Sequence, residues 1–212
     1  MNQTLVRQLL LYAIPCENTE LPTLLRQVEE ALDGGATLLQ LREKSLGEEE
    51  YLRRAIEVKK ICDRYNVPLI VDDSLEVALK CDAGGIHVGQ DDVDAASARK
   101  ILGPDKIIGV SAKTVEQARK AEADGADYLG VGAIYSTQTK ENPVYTTIES
   151  LKEICSSVSI PVVAIGGIKL HNMDPLKGSG VVGVSIVTGI FAAPDVRKAT
   201  QELRAKAEEL FA

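Results

Sequence analysis

Seven short stretches of this chain carry side chains suited to handling a phosphorylated ligand. In Gln40-Leu41-Arg42-Glu43-Lys44 the alternation of an extended backbone puts Gln40, Arg42 and Lys44 on one face and Leu41 and Glu43 on the other. Two cations and an amide on one face suit an anion; the other reading is a basic strand end open to water. Asp72-Asp73-Ser74 and Gly89-Gln90-Asp91-Asp92 each follow an apolar run and precede a helical pattern. One carboxylate from each would make a hard oxygen pair for Mg²⁺, leaving coordination positions for phosphate. The same carboxylates suit helix N-caps, and Asp73-x-x-Glu76 has the spacing of a capping box. Ser111 offers a hydroxyl at a strand end, with Thr114-x-x-Gln117 beyond it as a capping box. Thr137-Gln138-Thr139-Lys140 places two hydroxyls and an ammonium inside a long connection, from Ala133 to about Thr146, of the kind that is usually functional or mobile. Gly166-Gly167 and Val187-Thr188-Gly189 could bring backbone N–H groups close to a phosphate, or simply close tight turns. The two histidines offer less: His87 reads as a packed strand residue and His171 as exposed.

These pieces need a scaffold that brings them together. Short aliphatic runs recur at Gln8–Ile14, Thr37–Arg42, Pro68–Asp72, Gly85–Val88, Lys106–Val110, Tyr128–Val131, Pro161–Ile165 and Val181–Ile186. Amphipathic stretches lie between them, among them Leu21–Leu32, Glu48–Tyr65, Val115–Asp124 and Ala193–Leu210. Continuous apolar strands alternating with helices predict an α/β fold with a parallel sheet. Eight units in 212 residues fit a single (β/α)₈ TIM-type barrel spanning 1–212, ahead of a doubly wound sheet. The phrases Gly34-Gly35-Ala36, Asp82-Ala83-Gly84-Gly85 and Asp124-Gly125-Ala126-Asp127 read as a repeated unit in which glycine ends a helix left-handed. In such a barrel the loops after the strands form the active face, which is where every candidate falls.

Composition narrows the function. With 24 basic and 31 acidic residues the net charge is −7, and no basic tract is present, which disfavours nucleic acid or an anionic membrane as partner. Aromatics at 4% without tryptophan provide no base-stacking platform. The N-terminus lacks the pattern of a secretory signal. Four scattered cysteines (Cys16, Cys62, Cys81, Cys155) read as reduced thiols, so a cytoplasmic location is expected. Oligomeric state is not legible, because a helix face that packs on a barrel and one that packs on a neighbour look alike.

In this order, QLREK at 40–44, DD at 72–73, GIHVGQDD at 85–92, GVSAKT at 109–114, DYLGVGAIYSTQTK at 127–140, PVVAIGGI at 161–168 and GVSIVTGI at 183–190 resemble the thiamine-phosphate synthase family over nearly the whole chain. The resemblance implies an enzyme that joins a hydroxymethylpyrimidine diphosphate to a thiazole phosphate and releases pyrophosphate. It implies Gln40, Arg42, Lys44 and Asp72 at the pyrimidine diphosphate, with Ser111 and Lys140 on the diphosphate itself. Asp73 and Asp92 would hold Mg²⁺. Thr137, Thr139, Gly167, Val187 and Thr188 would form the thiazole-phosphate side. Arg42, Lys44, Ser111 and Lys140 would be the catalytic set, and with the metal they would leave the occupied site roughly neutral. Asp72 stands where the family typically has Asn, Lys113 where His is common, and Gln138 and Thr188 where Ser is common. A related thiazole tautomerase carries an acid/base histidine just after strand six, where this chain has Ala133; that isomerase and a non-catalytic phosphate-binding barrel are the competing readings.

Overall fold

A computed structural model describes residues 2–136 and 145–212. The chain runs α1 (Gln3–Gln8), β1 (Leu11–Ala13), α2 (Leu21–Asp33), β2 (Leu38–Leu41), α3 (Glu48–Arg64), β3 (Leu69–Asp72), α4 (Leu75–Lys80), β4 (Gly85–Val88) and α5 (Ala95–Leu102). It continues through β5 (Ile107–Ala112), α6 (Val115–Ala123), β6 (Tyr128–Val131), α7 (Ile148–Ser157), β7 (Val162–Ile165), β8 (Gly183–Ile186), α8 (Thr188–Phe191) and α9 (Val196–Phe211). Two 3₁₀ turns, Leu170–Asn172 and Asp174–Leu176, stand between β7 and β8. Every strand pairs in parallel with its sequence neighbours, and β8 pairs with β1, so the sheet closes on itself. This is the expected eight-stranded α/β barrel.

Alternation along the strands separates two cores. Outward residues such as Leu39, Val71, Ile86, Ile108, Leu129 and Val184 pack under the helices. Inward residues Tyr12, Leu38, Ile70, Tyr128 and Val163 form a second cluster inside the barrel, and Leu5 and Leu9 close it from below. Those two leucines come with α1, whose N-cap Asn2 accepts from the Thr4 and Leu5 N–H groups. The expected strand Gln8–Ile14 is therefore corrected: its first residue ends a helix and only Leu11–Ala13 are strand. Burying each leucine contributes about 2 kcal/mol, which favours a helical plug over a longer strand.

The repeated αβ phrases are also partly corrected. Gly35 and Gly125 do take left-handed backbone, with φ of 98° and 89°. In the middle phrase Asp82 turns the chain instead, at φ 51°. Gly85 there is needed because a Cβ would lie 2.0 Å from the Ile107 carbonyl oxygen. Among the described residues no helix is long and apolar enough to cross a membrane.

Candidate active site

The C-terminal ends of the strands surround a cavity of about 760 Å³, part of it open to solvent, that is lined by Arg42, Lys44, Asp72, Asp73, Asp92 and Ser111 together with His87, Lys113, Ala133 and Gly166. Six polar or charged site residues expected from the sequence, Arg42, Lys44, Asp72, Asp73, Asp92 and Ser111, thus meet at one mouth. Gln40 lies one layer lower, buried inside the barrel. Gly167, Val187 and Thr188 sit at the neighbouring ends of β7 and β8, beside the cavity and outside its lining. Thr137, Thr139 and Lys140 lie outside the described residues.

Neither acidic candidate is a helix cap. Ser74 caps α4, accepting from the Val77 N–H at 3.2 Å, and Asp94 caps α5, accepting from Ser97 at 2.9 Å. The capping box expected from Asp73 and Glu76 is therefore corrected. Thr114 caps α6 as expected, but Gln117 reaches back to the Lys113 N–H rather than to the cap residue. Asp73 occupies the centre of a γ-turn with φ 61°, where the Ser74 N–H donates to the Asp72 carbonyl at 2.7 Å. The Asp73 N–H donates to the His87 carbonyl on the next strand at 2.9 Å. Left-handed backbone at a non-glycine residue is strain of a kind that gathers at functional sites, and this strain aims the carboxylate into the mouth. Asp92 is fixed by the Gly89 N–H at 2.8 Å.

The carboxylates and cations hold one another. Lys44 Nζ is 2.8 Å from Asp73. Burial works to lower the Lys44 pKa, but its hydrogen bond and charge interaction with Asp73 outweigh this and raise it. Asp73 is raised chiefly by burial, opposed by Lys44 and reinforced by the Asp92 carboxylate beside it. Two hard oxygen donors crowded together, neither used as a cap, match what a divalent cation with bound phosphate and water requires, so Mg²⁺ fits Asp73 and Asp92.

Sequence reasoning missed several members. Arg42 is answered by two carboxylates, Asp72 at 3.2 Å and Glu17 from the loop after β1. Arg42, Lys44 and Lys113 thus face Glu17, Asp72, Asp73 and Asp92. The described part of the site is acidic on balance, so a multiply charged anion needs further positive charge to enter.

Glu43, on the opposite face as expected, is buried and paired with Arg54 of α3 at 3.0 Å. Arg54 also donates to the Thr19 carbonyl at 2.7 Å, and Glu43 accepts from the Asn18 N–H at 3.2 Å. Tyr51 donates to the Leu41 carbonyl at 2.7 Å and accepts from the Asp72 N–H at 3.1 Å, tying the ends of β2 and β3 together. Burial, and after it the nearby Asp72 carboxylate, raise the Tyr51 phenol and keep it protonated.

On the far rim, Tyr135 and Ile134 donate backbone N–H groups to Gly166 and Ile165, and Thr146 returns to Ala133. Gly167 has φ 66°, and a Cβ there would come 2.4 Å from the Ser136 carbonyl oxygen, so a side chain is excluded at this crossing. His87 is packed within β4 as expected, yet it also lines the mouth and bonds Ser111 Oγ at 2.9 Å.

The fold and this mouth define a (β/α)₈ barrel with charged side chains of both signs gathered at its strand ends. Residues 11–190 match the family described as thiamine monophosphate synthase. Thiamine-phosphate synthase 2 of Streptococcus pneumoniae serotype 4 is 50% identical over 187 residues, covering 88% of this chain and 89% of that one. Thiamine-phosphate synthase of Clostridium tetani is 51% identical over 176 residues, 83% of this chain and 84% of that one. The structure of a thiamine phosphate pyrophosphorylase from Pyrococcus furiosus superposes with a TM-score of 0.88 at 38% identity, covering 98% of this chain and 100% of that one. A 3-hexulose-6-phosphate synthase, at 18% identity and TM-score 0.70 over 95% of this chain and 99% of that one, shares the fold alone. The chain belongs to the thiamine monophosphate synthase family.

Proposed function

We infer that this chain is a thiamine-phosphate synthase, a transferase that condenses 4-amino-2-methyl-5-hydroxymethylpyrimidine diphosphate with a thiazole phosphate to give thiamine phosphate and pyrophosphate. The observation that carries the reading is the meeting of Arg42, Lys44, Asp73, Asp92 and Ser111 at one barrel mouth. Asp73 and Asp92 would hold Mg²⁺, which when bound supplies Lewis acidity toward the diphosphate oxygens. Arg42 and Lys44 grip the leaving group, and Ser111 donates a hydrogen bond to it. Lys140 completes the diphosphate clamp. The C–O bond breaks by departure of pyrophosphate, and the aminopyrimidine ring supports the methylene cation left behind. The thiazole nitrogen lone pair then forms the new C–N bond, so no general base is required. Thr137, Thr139, Gly167, Val187 and Thr188 hold the thiazole phosphate so that its nitrogen faces the carbon being released. The whole span 1–212 acts as one catalytic barrel, working in the cytoplasm on small phosphorylated molecules without nucleic acid or membrane.

Incubation with both substrates, with Mg²⁺ and with a chelator, tests this. Thiamine phosphate and pyrophosphate should form in equal amounts with metal and not without it. Lys140→Ala should lower turnover far more than thiazole-phosphate binding. Isomerisation of the thiazole alone, or binding without turnover, would overturn the reading. Ala133 on the lining provides no acid or base for the first of those outcomes.

A further inference from the structure

Beneath the mouth a continuous line of hydrogen bonds crosses the barrel. Gln40 Nε2 donates to Tyr12 Oη at 2.7 Å, and the Tyr12 and Tyr128 hydroxyls are 2.9 Å apart. Tyr128 Oη is 3.0 Å from His87 Nδ1, and His87 Nε2 is 2.9 Å from Ser111 Oγ. The five residues come from β2, β1, β6, β4 and β5. Gln40, Tyr12, Tyr128 and His87 are buried. The two phenol rings meet edge-on, with centroids 5.9 Å apart and planes at 77°.

The barrel makes room for these rings by omitting side chains. A Cβ on Gly109 would lie 2.1 Å from the Tyr128 ring, and one on Gly130 would lie 3.1 Å from His87 Cε1. Buried phenols stay protonated here: burial first, then the neighbouring Tyr128, holds Tyr12 well above its usual range. Each hydroxyl therefore has one proton to give, and the direction of giving follows from the end of the line. An amide nitrogen only donates, so Tyr12 accepts from Gln40 and passes its own proton toward Tyr128. Tyr128 in turn donates to His87 Nδ1, which leaves the imidazole proton on Nε2, facing Ser111. Ser111 accepts that bond on a lone pair.

We propose that this line is a positioning device in which His87, held in its Nε2–H form by Tyr128, turns the Ser111 hydroxyl proton toward the diphosphate leaving group. His87 acts through Ser111 and does not itself touch the reacting atoms. The proposal rests on the synthase reading above, in which Ser111 contacts the diphosphate. An oriented donor is worth more to a developing charge than one that must reorganise. The line also explains why Gln40, though buried, is an amide: a carboxylate there would accept from Tyr12 and reverse every bond down to Ser111.

Steady-state kinetics of His87→Ala, His87→Gln, Tyr128→Phe, Ser111→Ala and the doubles that combine Ser111→Ala with His87→Ala and with Tyr128→Phe test the device. His87→Ala should lower kcat roughly tenfold with the KM for thiazole phosphate unchanged. His87→Gln, whose amide N–H can reach the Nε2 position, should recover most of the loss. Each double should be no slower than Ser111→Ala alone. If His87→Ala fails to fold, the near-isosteric Tyr128→Phe carries the same cycle. Losses that multiply in the doubles, or a folded His87→Gln as slow as His87→Ala, overturn the device while leaving an active wild-type synthase. A wild-type chain without turnover overturns the synthase reading, and the device falls with it.

Discussion

Replacing Arg54 by methionine should unsettle the site from behind. The Glu43 side chain is 1% exposed and that of Arg54 is 10% exposed, so truncating the guanidinium leaves a carboxylate in a place water does not reach. Among the described residues its other hydrogen bond, from the Asn18 N–H, is long at 3.2 Å. Breaking a buried ion pair from one side costs about 3–5 kcal/mol. The Arg54–Glu50 contact, with Glu50 one-third exposed and screened by water, adds little to this loss. For a chain of this size each kcal/mol lowers Tm by about 2–4 °C, so a fall of roughly 6–20 °C is expected. Because Glu43 lies between Arg42 and Lys44, the KM for the pyrimidine diphosphate should rise as well. Urea unfolding followed by far-ultraviolet circular dichroism, alongside steady-state kinetics, reads both effects. The double variant Glu43→Gln/Arg54→Met should recover much of the stability, since it removes the stranded charge. A single variant that loses less than about 1 kcal/mol would refute the claim that Arg54 holds Glu43 in place.

Other outcomes follow from the same geometry. Gly109→Ala forces a methyl group into the Tyr128 ring and should destabilise by about 1–3 kcal/mol while lowering kcat; wild-type stability in urea would contradict the packing. Asp72→Asn removes one of the two carboxylates on Arg42 and a negative charge beside the diphosphate, so the KM for that substrate should fall about fivefold; a higher KM would count against the repulsion argument. Burial pushes the Cys62 thiol up to about 12 and Cys155 up to about 11. Thiolate attack is thereby suppressed at pH 8, and an aromatic disulfide reagent should label these two only as the chain unfolds. Rapid labelling of Cys62 in the native protein would sink that prediction.

What was legible in the sequence was whatever depends on local pattern. The runs Gly85–Val88 and Tyr128–Val131 match β4 and β6 to the residue, because both faces of a parallel strand are buried and such a run carries no charged residue. The run from Gln8 blurred because an apolar helix end and an apolar strand adjoin without a polar break. The candidates at 42, 44, 72, 73, 92 and 111 were visible because strand ends in a barrel converge. What stayed hidden is set by distant pairing. Glu17 meets Arg42 and Arg54 meets Glu43 only through the closed sheet and its outer helix. Tyr12, Tyr128 and His87 were hidden for another reason: an interior polar residue surrounded by aliphatics resembles ordinary core. Interior glycines at 109 and 130, on strands otherwise rich in bulky residues, were the available clue that rings lie across them.

The pairing of β8 with β1 also dictates an order of events during synthesis. The first strand to leave the ribosome finds its last hydrogen-bonding neighbour only after about 170 residues have followed it, from Ala13 to Gly183. Until then the nascent sheet has two bare edges and an interior open to the cell, so chaperone contact and misassociation are concentrated in the interval before Val184 and Ser185 emerge.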